Sequence, residues 1–328
     1  MKKIGIITPG GDASGMNACI RAIVRRAVSS KLEVIGIIEG FAGLLKEKFI
    51  QLNLRSVSGI INHGGTILKS SRCREIRTAE GLKKAAKILK KQGIESLIIL
   101  GGDGSLSAGA KIARMDSGIS AGLSNLSVMG IPASIDNDVY GTDETIGFDT
   151  AIDTAVHAID NIRDTAVSFN RVFIIEVMGR ERGFLAGEVG LASGAEFILV
   201  PEIKYNVNKI CRKLKEQQQQ KKTSVIIVFA EGCGNLYKLA NQISKKTQLE
   251  VRVSSLGYIQ RGGSPSARSR NLASRFGDYA VELILNNRKN LVVVLKEGDI
   301  KSVPIDSIIG KEKKIDTGIL KLANRLAV

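Results

Sequence analysis

Tryptophan is absent from this 328-residue chain, and aromatic residues make up only 4% of it. Few aromatics leave little surface on which nucleic-acid bases could stack, and no RNA- or DNA-binding signature is present. A nucleic-acid role would rest on net charge alone. Cysteine is also scarce. Cys19, Cys73, Cys211 and Cys233 fall in no CxxC spacing and do not suggest a disulfide framework or a zinc site. No apolar run approaches the roughly 20 residues that cross a bilayer. The opening MKKIGIITPGG has an apolar run that ends at Thr8, too short for the core of a signal peptide, so a cytoplasmic, membrane-free protein is expected. No GxxxxGK[ST] occurs either: Gly310–Lys311 is followed by Glu312, which excludes a Walker-type nucleotide loop.

Acidic residues are outnumbered, 32 against 48 Lys and Arg, giving a net charge of +16. Such an excess suits an anionic ligand or merely a lysine-rich surface. Lys83, Lys84, Lys87, Lys90 and Lys91 are spaced as the solvated face of one helix. At 44% hydrophobic and 24% charged, the chain reads as globular, and its length suits two lobes rather than one core.

Short β-rich apolar runs recur at Ile4–Ile7, Val34–Ile38, Leu97–Leu100, Val128–Ile131, Val172–Val177, Val225–Phe229 and Leu291–Leu295. Helical patterns separate them, which predicts an α/β fold of mainly parallel sheets covered by helices. The clearest helix lies within Ile146–Ser168, with Ala151, Ile152, Ala155, Val156, Ile159, Ile162 and Ala166 on one stripe and His157 beside it in a structural role. Gln217–Gln220, before Lys221 and Lys222, reads as a polar helix end.

Chemistry concentrates at strand ends. Val128–Asp138 runs from an apolar strand through Pro132 to Ser134, Asp136 and Asp138 at alternate positions, which in extended backbone would share one face. One carboxylate there suits proton abstraction from an alcohol and its neighbour suits a metal ion; an Asx-rich turn is the competing explanation. Two further strand ends carry Gly10–Gly11–Asp12 and Gly101–Gly102–Asp103–Gly104–Ser105, each leading into a helical pattern. Glycine there lets the backbone approach a ligand, and the helix N-terminus offers N–H groups to an anion. Met178–Gly179–Arg180, Glu231–Gly232 and Gln260–Arg261–Gly262–Gly263 add glycine-flanked polar turns in which arginine forks suit phosphate oxygens.

Taken together, GGDASGMNA (10–18), GGT with SSRCREIR (64–77), GGDGS (101–105), PASIDND (132–138), GTDETIGFDTA (141–151), EVMGRERG (176–183) and GYIQRGGSP (257–265) resemble the bacterial-type ATP-dependent 6-phosphofructokinase family. The similarity runs from the first strand to about Leu285. It implies two discontinuous lobes, 1–147 with 260–314 for ATP and 148–259 with 315–328 for fructose 6-phosphate. It further implies transfer of the ATP γ-phosphoryl to the sugar 1-hydroxyl. By the same resemblance Gly11, Arg72, Cys73, Gly102, Asp103, Gly104 and Ser105 line the ATP site, with Asp103 serving Mg²⁺. Asp136 is the base, Ser134 and Asp138 support it, and Arg180 stabilises the phosphoryl group in flight. Ile135, Met178, Gly179, Glu231, Tyr258 and Arg261 meet the sugar, with Arg171 and Arg252 reaching in from a neighbour of a homotetramer. Arg21, Arg25, Arg163, Glu196 and Lys222 correspond to a regulatory nucleotide site.

The chain departs from the family pattern in places. Ser134 stands for threonine and Ala133 for glycine; pyrophosphate-dependent relatives place lysine at 133 and aspartate at 104, so Gly104 with Ala133 favours ATP. Tyr258 replaces a histidine that touches the sugar phosphate, which implies a raised KM. Leu54 and Gly59 replace an arginine and an aspartate of the regulatory clamp. Asp116–Ser127 is longer than the family's turn and reads as a flexible loop. The rivals are a pyrophosphate-dependent enzyme on the same fold and a non-catalytic regulatory subunit, the latter opposed by Asp103, Asp136 and Arg180 occurring together.

Overall fold

A computed structural model of the chain describes residues 2–118, 126–220 and 224–327. The described residues form strands β1 (Lys3–Ile7), β2 (Glu33–Ile37), β3 (Phe49–Leu52), β4 (Ser96–Gly101), β5 (Ser127–Pro132), β6 (Val172–Val177), β7 (Phe197–Leu199), β8 (Val225–Ala230), β9 (Val251–Ser255), β10 (Leu291–Lys296) and β11 (Asp299–Pro304). The helices are α1 (Met16–Ser29), α2 (Gly40–Leu45), α3 (Ala79–Lys91), α4 (Asp103–Gly118), α5 (Phe148–Phe169), α6 (Phe184–Ala192), α7 (Val207–Gln219), α8 (Leu236–Thr247), α9 (Ala267–Leu285) and α10 (Thr317–Leu326). The chain divides into two compact units, one of residues 1–134, 138–149 and 261–313, the other of 135–137, 150–260 and 314–328.

The first unit holds a seven-stranded sheet in the order β11-β10-β5-β4-β1-β2-β3. Its interior pairs are parallel, and only the outer pairs, β2 with β3 and β10 with β11, are antiparallel. Every residue of β4 and β5 is buried, as expected where helices cover both faces of a parallel sheet. In α3, Thr78 caps the N-terminus by accepting from the Gly81 N–H, and Leu82, Ala85, Ala86 and Leu89 are buried. The five lysines of α3 are all exposed, so that part of the charge excess is a solvated face. From β1 the chain builds β2 and β3 on one side, then crosses to place β4, β5 and β10 on the other. The carboxyl ends of β1 and β4 therefore flank a topological switch point, where open α/β sheets bind ligands.

The second unit has a four-stranded sheet, β7-β8-β6-β9, in which every pair is parallel. Asn206 caps α7 by accepting from the Asn208 and Lys209 N–H groups. Ala151, Ala155, Ile159 and Ala166 of α5 are fully buried, which matches the stripe read from the sequence, and His157 is exposed. The Asp116–Ser127 stretch is not wholly a loop. Helix α4 continues to Gly118 and β5 begins at Ser127, while residues 119–125 lie outside the described residues.

Candidate active site

The two glycine turns sit at the ends of neighbouring parallel strands of the first unit. They are braced against each other: Ser105 Oγ donates to the Pro9 carbonyl at 3.0 Å, and a Cβ on Gly101 would stand 2.7 Å from that of Ser105. Gly102 and Gly104 face differently. A Cβ on Gly104 would meet nothing within 4 Å, and one on Gly102 only Ser134 at 3.9 Å. The backbone at 102–104 is thus open to a ligand at the N-terminus of α4. On the β1 side, a Cβ on Gly11 would meet only Arg261 Nη1, at 3.9 Å. Ser70 Oγ donates to the Gly10 carbonyl and Thr8 Oγ1 to the Lys69 carbonyl, which brings the 66–70 segment, and exposed Arg72 after it, alongside β1. Cys73 packs against the apolar cluster of this unit.

The serine–aspartate stretch is not the extended run its alternation suggests. Strand β5 ends at Pro132, residues 135–136 bend, and Asn137 has φ of 51°. Thr145–Ile146 supports the turn: Thr145 Oγ1 donates to the Ser134 carbonyl, and the Ser134 N–H donates to the Ile146 carbonyl at 3.0 Å. Ser134 and Asp138 stay with the first unit while 135–137 belong to the second. Asp103 opens α4, and burial pushes its carboxyl above the ordinary range, with the Asp138 carboxylate adding to the effect. A helix N-terminus should favour the anion, so burial and the neighbouring carboxylate prevail there. A cation between such a pair would be stabilised by both charges. Among the described residues no group of three or more His, Cys, Asp or Glu gathers as a metal cage. Two carboxylates suit Mg²⁺, which commonly takes one or two plus substrate phosphates.

Lys313 is a further cation in this unit. Its ammonium donates to the Asp143 carbonyl at 2.9 Å, and burial lowers its pKa to about 8 against the pull of Asp143, Asp138 and Glu144. Glu144, itself buried, is held by Arg268 at 2.6 Å, and Ser266, which caps α9, donates to Asp149.

In the second unit Asp136 is 3% exposed, and Arg180 Nε lies 3.2 Å from its Oδ2. Arg180 occupies a left-handed conformation, φ 53°, after Gly179 at φ 139°. Two side chains pin this turn. Glu231 Oε1 accepts from the Gly179 N–H at 3.1 Å and from the Arg180 N–H, while Gln260 Oε1 accepts from the Met178 N–H at 3.3 Å. Sequence reading assigned Glu231 to the sugar and passed over Gln260, whose side chain is buried and also donates to the Gly257 carbonyl. The only sequence signal for Gln260 was its place beside Arg261.

Arg171 and Arg252 meet in the same chain on Glu250, whose carboxyl they hold below the usual carboxylate range, Arg171 foremost through its hydrogen bond. Arg171 also lies 4.3 Å above the Phe169 ring. Tyr258, on a 3-10 turn, is 78% exposed. Arg163 donates to the Ser193 carbonyl at 2.6 Å and stands 3.9 Å from Glu196, which accepts from the Ile226 N–H. Arg21 and Arg25 lie one turn apart on α1 in the first unit; Lys222 lies outside the described residues.

Open glycine turns at a switch point, a carboxylate pair and a buried aspartate paired with arginine define a two-unit α/β protein with phosphate-type turns. The family model described as phosphofructokinase matches residues 3–284. An ATP-dependent 6-phosphofructokinase of Clostridioides difficile is 47% identical over 328 residues, and one of Halothermothrix orenii 45% identical over 340, each alignment covering all of both chains. A solved structure of phosphofructokinase from Saccharomyces cerevisiae superposes with a TM-score of 0.84 at 34% identity, over 94% of this chain and 45% of that one. The chain belongs to the phosphofructokinase family.

Proposed function

We propose that the chain is an ATP-dependent 6-phosphofructokinase, moving the γ-phosphoryl of ATP to the 1-hydroxyl of fructose 6-phosphate to give fructose 1,6-bisphosphate and ADP. The observation that carries the chemistry is the Asp136–Arg180 pair, a buried carboxylate held by a cation on a pinned turn. Asp136 accepts the hydroxyl proton as the sugar oxygen bonds to phosphorus and the bond to the ADP oxygen breaks. Arg180 stabilises charge on the oxygens of the transferring group. Such transfer depends mainly on positioning and cationic stabilisation, with a base adding roughly 10²–10⁴-fold. The nucleotide phosphates lie on the Gly11 and Gly102–Ser105 turns, with Arg72 and Cys73 beside them. Asp103, with the Asp138 carboxylate beside it, would hold Mg²⁺, which when bound would supply charge neutralisation at the phosphates. The sugar meets Ile135, Met178, Gly179, Tyr258 and Arg261. Ser134 is read as support for the base.

Donor choice follows from small residues. Gly104 has open space where pyrophosphate-dependent relatives carry aspartate, and Ala133, 1% exposed, stands where they carry lysine. The lobes of this reading are 1–147 with 260–314 and 148–259 with 315–328, working in the cytoplasm as a homotetramer in which Arg171 and Arg252 serve a neighbour's sugar site. Arg21, Arg25, Arg163, Glu196 and Lys222 form its regulatory anion site, with Leu54 and Gly59 removing half of its polar clamp. A coupled assay for fructose 1,6-bisphosphate with Mg·ATP and Mg·pyrophosphate tests the reading. Product from ATP alone is expected. Product from pyrophosphate would show that residues 104 and 133 do not select the donor, and none from either would leave a regulatory subunit as the better account.

A further inference from the structure

Ser14, 1% exposed in the turn before α1, directs its hydroxyl at three consecutive carbonyls of a distant segment. These are Arg261 at 3.3 Å, Gly262 at 3.0 Å and Gly263 at 3.0 Å. One hydroxyl has one proton, so it can serve any of the three oxygens but not all at once. The contacts run the length of the glycine turn that follows Arg261.

Neighbouring contacts brace the same junction. Asn17 donates to the His63 and Gly64 carbonyls, both at 3.1 Å, and its Oδ1 accepts from the Ile67 N–H. Ser264 Oγ donates to the Asn62 carbonyl at 2.9 Å. Gly64 in turn lies so close that a Cβ on it would stand 2.3 Å from the Gly263 oxygen. The α1 turn thus clamps 62–67 and 261–264 side by side. Of these contacts, only the Ser14 hydroxyl reaches the backbone of Arg261 itself. That arginine's guanidinium lies over Gly11, three residues before Ser14 in the same turn.

We propose that Ser14 is a positioning residue: its hydroxyl fixes the Arg261–Gly263 backbone and so sets where the Arg261 guanidinium meets the phosphate of the sugar substrate. The inference rests on the fructose 6-phosphate reading above. A bidentate guanidinium–phosphate pair tolerates little displacement, because both N–H donors must stay aligned with their oxygens. Loosening the backbone therefore weakens sugar-phosphate binding foremost, without touching Asp136 or the Gly102–Ser105 turn.

Steady-state kinetics of Ser14→Ala tests this. The KM for fructose 6-phosphate rises about three- to tenfold, while kcat and the KM for ATP stay within about twofold, the signature of lost binding energy shared by ground and transition states. Ser14→Cys, whose thiol is a weaker donor, falls between the two proteins. The decisive arm is a double-mutant cycle. In an Arg261→Met background, Ser14→Ala adds no further rise in KM, since its effect passes through Arg261. Additive effects, or an unchanged KM in Ser14→Ala beside a normally active wild type, would overturn the inference alone. A wild type that neither binds nor phosphorylates fructose 6-phosphate would overturn the underlying reading and this inference with it.

Discussion

Tyr258 carries a test of the proposed sugar site that leaves the transfer chemistry alone. It is largely exposed, and in the proposed sugar site it would offer a neutral hydroxyl, where the resemblance implies histidine, to a dianionic phosphate. Tyr258→His should lower the KM for fructose 6-phosphate by no more than about tenfold, because solvent screens exposed charge and a bond to a charged group contributes about 1.5–3 kcal/mol at best. The gain should grow as pH falls toward about 6.5, where histidine charges. A KM indifferent to the substitution and to pH would remove Tyr258 from the sugar site. At this scale the sequence was informative where residue type carries chemistry, as with Asp136 and Arg180, which the structure pairs. It was silent about Gln260, because a hydrogen bond to a residue 82 positions away leaves no local pattern.

Among elements, the seven apolar runs read from the sequence all became strands. The four strands that were not anticipated are β3, β7, β9 and β11, and each is the edge of its sheet. An edge strand has fewer neighbours and buries less; β9 has no fully buried residue and β11 is mixed throughout, so neither forms an apolar run. The segment after β5 misled for a different reason. Alternating Ser134, Asp136 and Asp138 fits an extended strand, but left-handed Asn137 and the bend before it break the alternation, and Asx residues tolerate that conformation. The Met178–Arg180 turn offers a test at this scale. Gln260→Leu removes the acceptor of the Met178 N–H and should destabilise the protein by about 1–3 kcal/mol, the cost of an unpaired buried donor. Urea unfolding measures it; a stability unchanged within about 0.5 kcal/mol would show that the turn holds its shape without Gln260.

For the whole molecule, Lys313 makes stability depend on pH. Its folded pKa of about 8 lies below the unfolded value, so between the two the unfolded chain binds a proton that the native chain does not. Stability then rises with pH across that window, and below it the buried charge is a standing cost. Comparing the native protein with Lys313→Met isolates the term. Their difference in unfolding free energy should move in favour of the native protein by on the order of 1–2 kcal/mol between about pH 7.5 and pH 9.5. A difference flat with pH would mean that Lys313 titrates as a solvated lysine. No helix among the described residues is long and apolar enough to cross a membrane.

The base at Asp136 is the claim on which the rest depends, and Asp136→Ser addresses it most directly. Turnover of fructose 6-phosphate with Mg·ATP should fall by roughly 10²–10⁴-fold, the contribution of a positioned base. ATP binding, measured separately by calorimetry, should stay unchanged, because the glycine turns at 11 and 102–105 are untouched. A variant that keeps near-native turnover would contradict the assignment of the proton to Asp136.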